Sequence, residues 1–105
     1  MNEKYITITG FNHYYGLSPF EIGAEFKCTK EPENIHDMEA IEVTLKPIGV
    51  IGYVANSPYT TAVGTMSAGR IYDKIGDSFR AKVMFITANM VICRVLEEED
   101  DSLCN

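Results

Sequence analysis

Two histidines, His13 and His36, occur in the chain, and with Glu31 and Asp37 nearby they are the side chains best suited to acid–base work or metal binding. Neither has a Cys or a third His beside it, so no ligand set is complete and exposed loop histidines are the simpler reading. No metal is expected. The acidic stretch Glu31, Glu33, Asp37 and Glu39 lacks the regular ligand spacing of a calcium loop. Pro32, Asn34 and Asp37 mark it instead as an ordered loop, since Asn and Asp side chains hydrogen-bond their own backbone in turns. No GxxxxGK[ST], GxGxxG, HExxH or GxSxG pattern is present, which removes the common phosphate, dinucleotide, metalloprotease and hydrolase signatures. The expectation is a chain with no catalytic chemistry and no cofactor.

Phe11, His13, Tyr14 and Tyr15 fall in one short loop bounded by Gly10 and Gly16. Consecutive bulky rings cannot all enter one core, so at least one is left accessible. Accessible rings stack on bases or other flat ligands, at about 1–3 kcal/mol per base for nucleic acid. A lid over one end of the fold, or a contact between two copies of the chain, accounts for the same rings equally well.

Charge neither favours nor excludes a polyanionic partner. The chain of 105 residues carries a formal charge of −6, but Glu97, Glu98, Glu99, Asp100 and Asp101 supply five of its fifteen acidic groups. Without that tail, ten acidic residues face nine Lys and Arg, so the body is nearly neutral. Cys28, Cys93 and Cys104 have no CxxC spacing, and the first two sit in apolar runs where a thiol behaves as a small hydrophobe. This usage fits a reducing cytoplasm. No signal peptide and no apolar run near the roughly 18 residues of a membrane span is visible, so a cytoplasmic protein with no membrane contact is expected.

The elements that must position these side chains follow from periodicity. Residues 4–11, 24–30, 40–46, 50–55, 79–87 and 90–96 alternate apolar with polar side chains, the period of a half-buried strand. Lys46-Pro47-Ile48-Gly49 and Ala88-Asn89 separate consecutive strands as hairpin turns. Ser57-Pro58 is a helix start, with Ser capping free N–H groups and Pro at the first helical position, and predicts a helix over about 58–68 that ends near Gly69. The competing reading of that segment is irregular structure, because Thr60, Thr61 and Gly64 are weak helix formers. Five or six strands and one short helix in a chain of this length imply a mainly β fold, a small closed or nearly closed barrel over 1–96, since an open sheet would leave exposed edges. The acidic segment 97–105 is expected to be a detachable, disordered tail.

Three separated blocks resemble the HIRAN family. They are Gly10-Phe11-Asn12-His13-Tyr14-Tyr15-Gly16, then Glu31-Pro32-Glu33-Asn34-Ile35-His36-Asp37 leading through Ala40-Ile41 into a β-branched strand, then Gly52-Tyr53 on the next strand. Together they cover about residues 5–96. The resemblance implies an OB-like barrel that recognises single-stranded DNA or its free 3' end. It further implies stacking by Tyr14 and Tyr15, a loop shaped by Asn34 and Asp37 with polar contacts to sugar or a terminal hydroxyl, and a concavity lined by Tyr53. His36 holds the position before the Asp where family members often carry Tyr. His13 stands where a basic Arg is familiar, and Asn56 and Ser57 follow Tyr53 with no nearby Lys, departures that lower the expected affinity for phosphate. Helicase, nuclease and RING activities belong to segments this sequence does not contain. The alternative is a protein-interaction or homodimerisation module that uses the same aromatic surface.

Overall fold

The computed structural model describes residues 3–96. The period-two segments form six strands, β1 Tyr5–Thr9, β2 Glu25–Lys30, β3 Ile41–Leu45, β4 Gly49–Val54, β5 Ser78–Ile86 and β6 Val91–Leu96. The pattern that predicts them is the pattern that buries them. In β2, Phe26 and Cys28 are buried between exposed Glu25 and Lys27; in β5, Phe79, Ala81 and Val83 are buried between Ser78, Arg80 and Lys82.

All neighbouring strands are antiparallel and run in the order β1-β4-β3-β2-β5-β6, closing into a barrel. Strand β1 closes it: Ile8 pairs with Val54 of β4 on one side, and Tyr5 to Ile8 pair with Arg94 to Val91 of β6 on the other. Closure consumes the backbone groups that an open sheet would present at its edges. Ile6, Ile8, Ile41, Ile51, Val83 and Val91 are fully buried inside, each contributing about 1.5–3 kcal/mol relative to exposure.

The helix lies elsewhere than expected. The segment after Pro58 forms turns, and the α-helix, α1, spans Ala68–Tyr72 with Ser67 as its N-cap, its side chain accepting from the Arg70 N–H. Ser57 does start a turn, since its Oγ accepts from the Tyr59 N–H at 3.0 Å and its carbonyl from the N–H groups of Thr60 and Thr61. The turn then fails to propagate. The Thr60 and Thr61 hydroxyls fold back onto that same carbonyl, and Gly64 adopts φ +92°, outside the helical region. Instead, residues 62–66 lie against β1. The Ala62 N–H donates to Thr7 Oγ1 at 3.1 Å, the Thr7 and Thr65 hydroxyls are 2.8 Å apart, and the Met66 N–H donates to the Tyr5 carbonyl. This covering makes Thr7 fully buried although it faces away from the barrel interior. The expectation of a disordered tail over 97–105 lies outside the described residues.

Gly52 is required by closure. A Cβ built there would come within 2.9 Å of Ile8 Cγ2 and 3.1 Å of the Thr9 carbonyl oxygen, atoms of the adjoining β1 that are buried or in the backbone. Gly52→Ala is therefore expected to destabilise the protein by about 1–3 kcal/mol, the usual cost of overpacking. Urea unfolding measures it; an unchanged midpoint would show that β1 can move away from β4 without cost.

Candidate functional site

Closure brings three stretches of chain to one side of the barrel. After β1, Phe11–His13 forms a single 3-10 turn that buries Phe11 against Phe20, with ring centroids 5.9 Å apart, and leaves Tyr14 and Tyr15 at 43% and 54% exposure. The 31–39 loop between β2 and β3 forms a second wall. The chain that leaves β4 through Asn56, Ser57 and Thr60 forms a third. Between them lies an open groove of about 600 Å³.

Five of the six residues singled out on the sequence, Tyr14, Asn34, His36, Asp37 and Tyr53, line this groove. Tyr15 does not; it lies exposed beside Tyr14. The Tyr14 and Tyr53 rings stand 6.5 Å apart at 37°, close enough to present two aromatic surfaces to one ligand. His13 lies outside the groove lining and His36 within it. Ala40, Val54, Asn56, Ser57 and Thr60 complete the lining, and the sequence marks none of them as a groove residue.

Asn34 organises the loop. Its Oδ1 accepts from the backbone N–H groups of His36 and Asp37 at 2.8 and 3.1 Å, and its Nδ2 donates to Glu31 Oε1 at 2.9 Å. Asp37 carries the chain onward, with Oδ1 accepting from the Glu39 N–H at 2.9 Å and Oδ2 from Asn56 Nδ2 at 3.1 Å. Asn56 Oδ1 in turn accepts from the Gly69 N–H at 2.7 Å, tying the groove to the start of α1. Gly69 cannot carry a side chain without meeting Glu39 Oε1, which would be 2.5 Å from the added carbon. Both carboxylate oxygens of Asp37 thus help to hold the loop, yet a carboxylate has about four acceptor positions, so capacity remains for a ligand.

Below the loop, the Tyr53 hydroxyl reaches both oxygens of Glu31, at 3.1 and 3.2 Å. Glu42, directly opposite Tyr53 in the β3–β4 register, shares a further hydrogen bond with Glu31. Partial burial, that shared bond and the nearby Glu31 charge raise the Glu42 carboxyl to about 7. Partial burial alone would raise Glu31 as well, but the hydrogen bonds from Glu42, Asn34 and Tyr53 outweigh it and hold Glu31 below its ordinary value. Burial and hydrogen bonding to Glu31 push the Tyr53 phenol up, so it stays a donor. With Glu42 raised to about 7 and Glu31 held below its ordinary value, Glu42 is the member of the pair that carries the proton below that pH. The pair came into view only through strand register, since eleven positions of sequence separate its members.

Among the described residues, no cluster of three or more His, Cys, Asp and Glu side chains is arranged to hold a metal ion. No helix among them is long and apolar enough to cross a membrane. Cys28 and Cys93 are buried and free, and burial pushes both thiols well above the range in which a thiolate forms.

The described residues form a small closed antiparallel barrel with an aromatic and amide-lined groove on one side. The family model described as "HIRAN domain" matches residues 1–98, and the chain belongs to the HIRAN family. Among solved structures, the HIRAN domain of human HLTF superposes with a TM-score of 0.60 at 17% identity, covering 90% of this chain and 73% of that one. No curated protein sequence matches the chain.

The carboxylate pair makes a pH prediction. A group raised in the folded state stabilises it below the group's unfolded value, and that contribution is lost as pH rises through the folded one. Glu42 therefore withdraws stability between about pH 4.5 and 7, while Glu31, which is lowered, acts in the opposite sense at more acidic pH. Glu42→Gln keeps a permanent donor to Glu31, so the melting temperature of the variant relative to the wild type should rise as pH goes from about 5 to about 8. A difference that stays constant with pH would mean that the Glu42 carboxyl is not raised in the folded state.

Proposed function

We propose that this protein binds single-stranded nucleic acid, with the terminal nucleotide of a strand seated in the groove and its 3' hydroxyl directed toward the 31–39 loop. The observation that carries this reading is the convergence of Tyr14, Asn34, His36, Asp37 and Tyr53 on one open groove. Rings supply sequence-tolerant stacking, and the polar groups beside them fix the orientation of the base and sugar. Membership of the HIRAN family and the shared fold with the HLTF domain support it. Tyr15, exposed at the edge, extends the stacking surface toward the next base. No group in the groove is arranged as a nucleophile with an adjacent base, so binding rather than catalysis is the role that fits.

Electrostatics give the groove a reason to prefer a free end. Asp37 and Glu39 both accept hydrogen bonds from Asn56 at its wall, and Glu31 lies beneath Tyr53. A terminal hydroxyl can donate to such carboxylates. A terminal phosphate would bring another negative charge of about −1.5 to −2 against them.

Fluorescence titration with short strands whose 3' ends are free or phosphorylated tests the proposal. The wild type should favour the free end. Tyr14→Ala should weaken both strands alike, by the roughly 1–3 kcal/mol of one stacked base. Asp37→Ala should abolish the preference between ends and lower the melting temperature, because the Glu39 N–H and Asn56 lose their acceptor. If Asp37→Ala lowers stability but leaves the preference intact, the residue holds the loop and does not read the end. Absence of strand binding at low salt, together with self-association that Tyr14→Ala disrupts, would favour the homodimerisation reading instead.

A further inference from the structure

We infer that the outer face of β2, β5 and β6 is a second contact surface of the same binding site, one that holds the phosphates of the strand upstream of the end seated in the groove. This inference rests on the strand-binding reading above and adds to it a path, a direction and an electrostatic component.

The cations are scattered in sequence and gathered by register. Lys27 lies opposite Arg80, Lys82 lies opposite Arg94, and Glu25 lies opposite Lys82. Phe26, Cys28, Phe79, Ala81, Val83 and Cys93, the alternating neighbours, are buried, so Lys27, Arg80, Lys82 and Arg94 face outward together. Four of the chain's nine Lys and Arg thus occupy adjoining positions on three neighbouring strands. Two acids share the face: Glu25 pairs with Arg80, and Glu3 with Arg94 at 3.5 Å. Among the described residues Lys27 and Lys82 have no ion-pair partner, and the face keeps an excess of positive charge.

The groove has the opposite character. Asp37 lines it, Glu31, Glu33 and Glu39 belong to the loop that walls it, Glu42 stands opposite Tyr53 in the sheet, and no lysine or arginine lines it. A protein whose body is nearly neutral therefore carries a polarised charge distribution, with the acidic region where a base and sugar fit and the basic region where they do not. Phosphates need cations and the counterion release that cations provide. In this molecule those cations stand on the sheet outside the groove.

The two regions are continuous. Tyr53, Glu42 and Thr29 form one outward row across β4, β3 and β2, and Thr44, Lys27 and Arg80 form the next row across β3, β2 and β5. With strands about 4.8 Å apart and about 6.8 Å between successive outward residues, Lys27 lies about 12 Å from Tyr53 along the surface. A strand ending in the groove and crossing β3 reaches Lys27 first and Lys82 and Arg94 after it. Lys30 takes no part, because its Nζ is occupied by the Ile75 carbonyl at 3.0 Å and lies over the Tyr72 ring.

The test compares the full chain and its Lys27→Ala/Lys82→Ala variant with 5'-labelled oligothymidylates of two lengths, about three nucleotides for the groove alone and about twelve for groove plus sheet, a span typical of small barrels. Titrations run from about 50 to about 200 mM salt. For the wild type, the longer strand should bind more tightly and with the steeper salt dependence. In the double variant the slope for the longer strand should flatten by about 1.4, two contacts at about 0.7 each, with affinity at low salt falling about tenfold, while the shorter strand binds as before. Should the variant keep the wild-type slope for the longer strand, the sheet contact is wrong and the groove reading stands; should it lose both strands equally, the shorter strand does not bind in the groove alone and both readings are overturned. Should the wild type bind neither strand, both are overturned. An unchanged melting temperature of the variant confirms that the comparison concerns binding.

Discussion

The pairing of β1 with both β4 and β6 is the constraint on which the rest of the molecule depends. A strand of five residues satisfies the edges of two others, and in doing so it decides what lies beside what. The aromatic loop that follows β1 is drawn against β4, so that Tyr14 faces Tyr53. The chain that leaves β4 is drawn back across β1 by the Thr7 hydroxyl and carbonyl, so that Asn56 and Ser57 face the 31–39 loop. Two of the three walls of the groove are consequences of that closure, and Gly52 is the residue that permits the close approach.

Within the groove, preorganisation falls to amides and carboxylates that bind one another before any ligand arrives. Asn34 holds two backbone N–H groups and Glu31; Asp37 holds the Glu39 N–H and Asn56; Asn56 holds the Gly69 N–H. A loop fixed in this way loses little conformational freedom on binding, which is how a small interface achieves useful affinity. The same network makes the site acidic, and that acidity separates the place for a base and sugar from the place for phosphates.

Much of this was legible in the sequence, for identifiable reasons. Strand alternation is a local signal, and all six strands lie within two or three residues of the period-two runs that predict them. The helix was not legible at its true position. Ser57-Pro58 is a sound start signal, but the Thr60 and Thr61 hydroxyls compete for the carbonyl that would propagate it, and the contact with β1 decides the outcome. Tyr14 and Tyr15 are indistinguishable as neighbours in a loop, and the turn at Phe11–His13 aims one of them into the groove. The Glu31–Glu42 pair, the outward cations and the role of Gly69 depend on cross-strand register or on loop packing, which no local pattern carries.

The most direct test of the account is a titration of the isotopically labelled protein with a short single strand bearing a free 3' hydroxyl, followed by backbone amide chemical shifts. The largest changes should cluster on Tyr14, Asn34, His36, Asp37, Tyr53 and Asn56, with smaller changes on the outer face of β2 and β5. Changes confined to the opposite end of the barrel, or none at strand concentrations that saturate other small barrels, would contradict it.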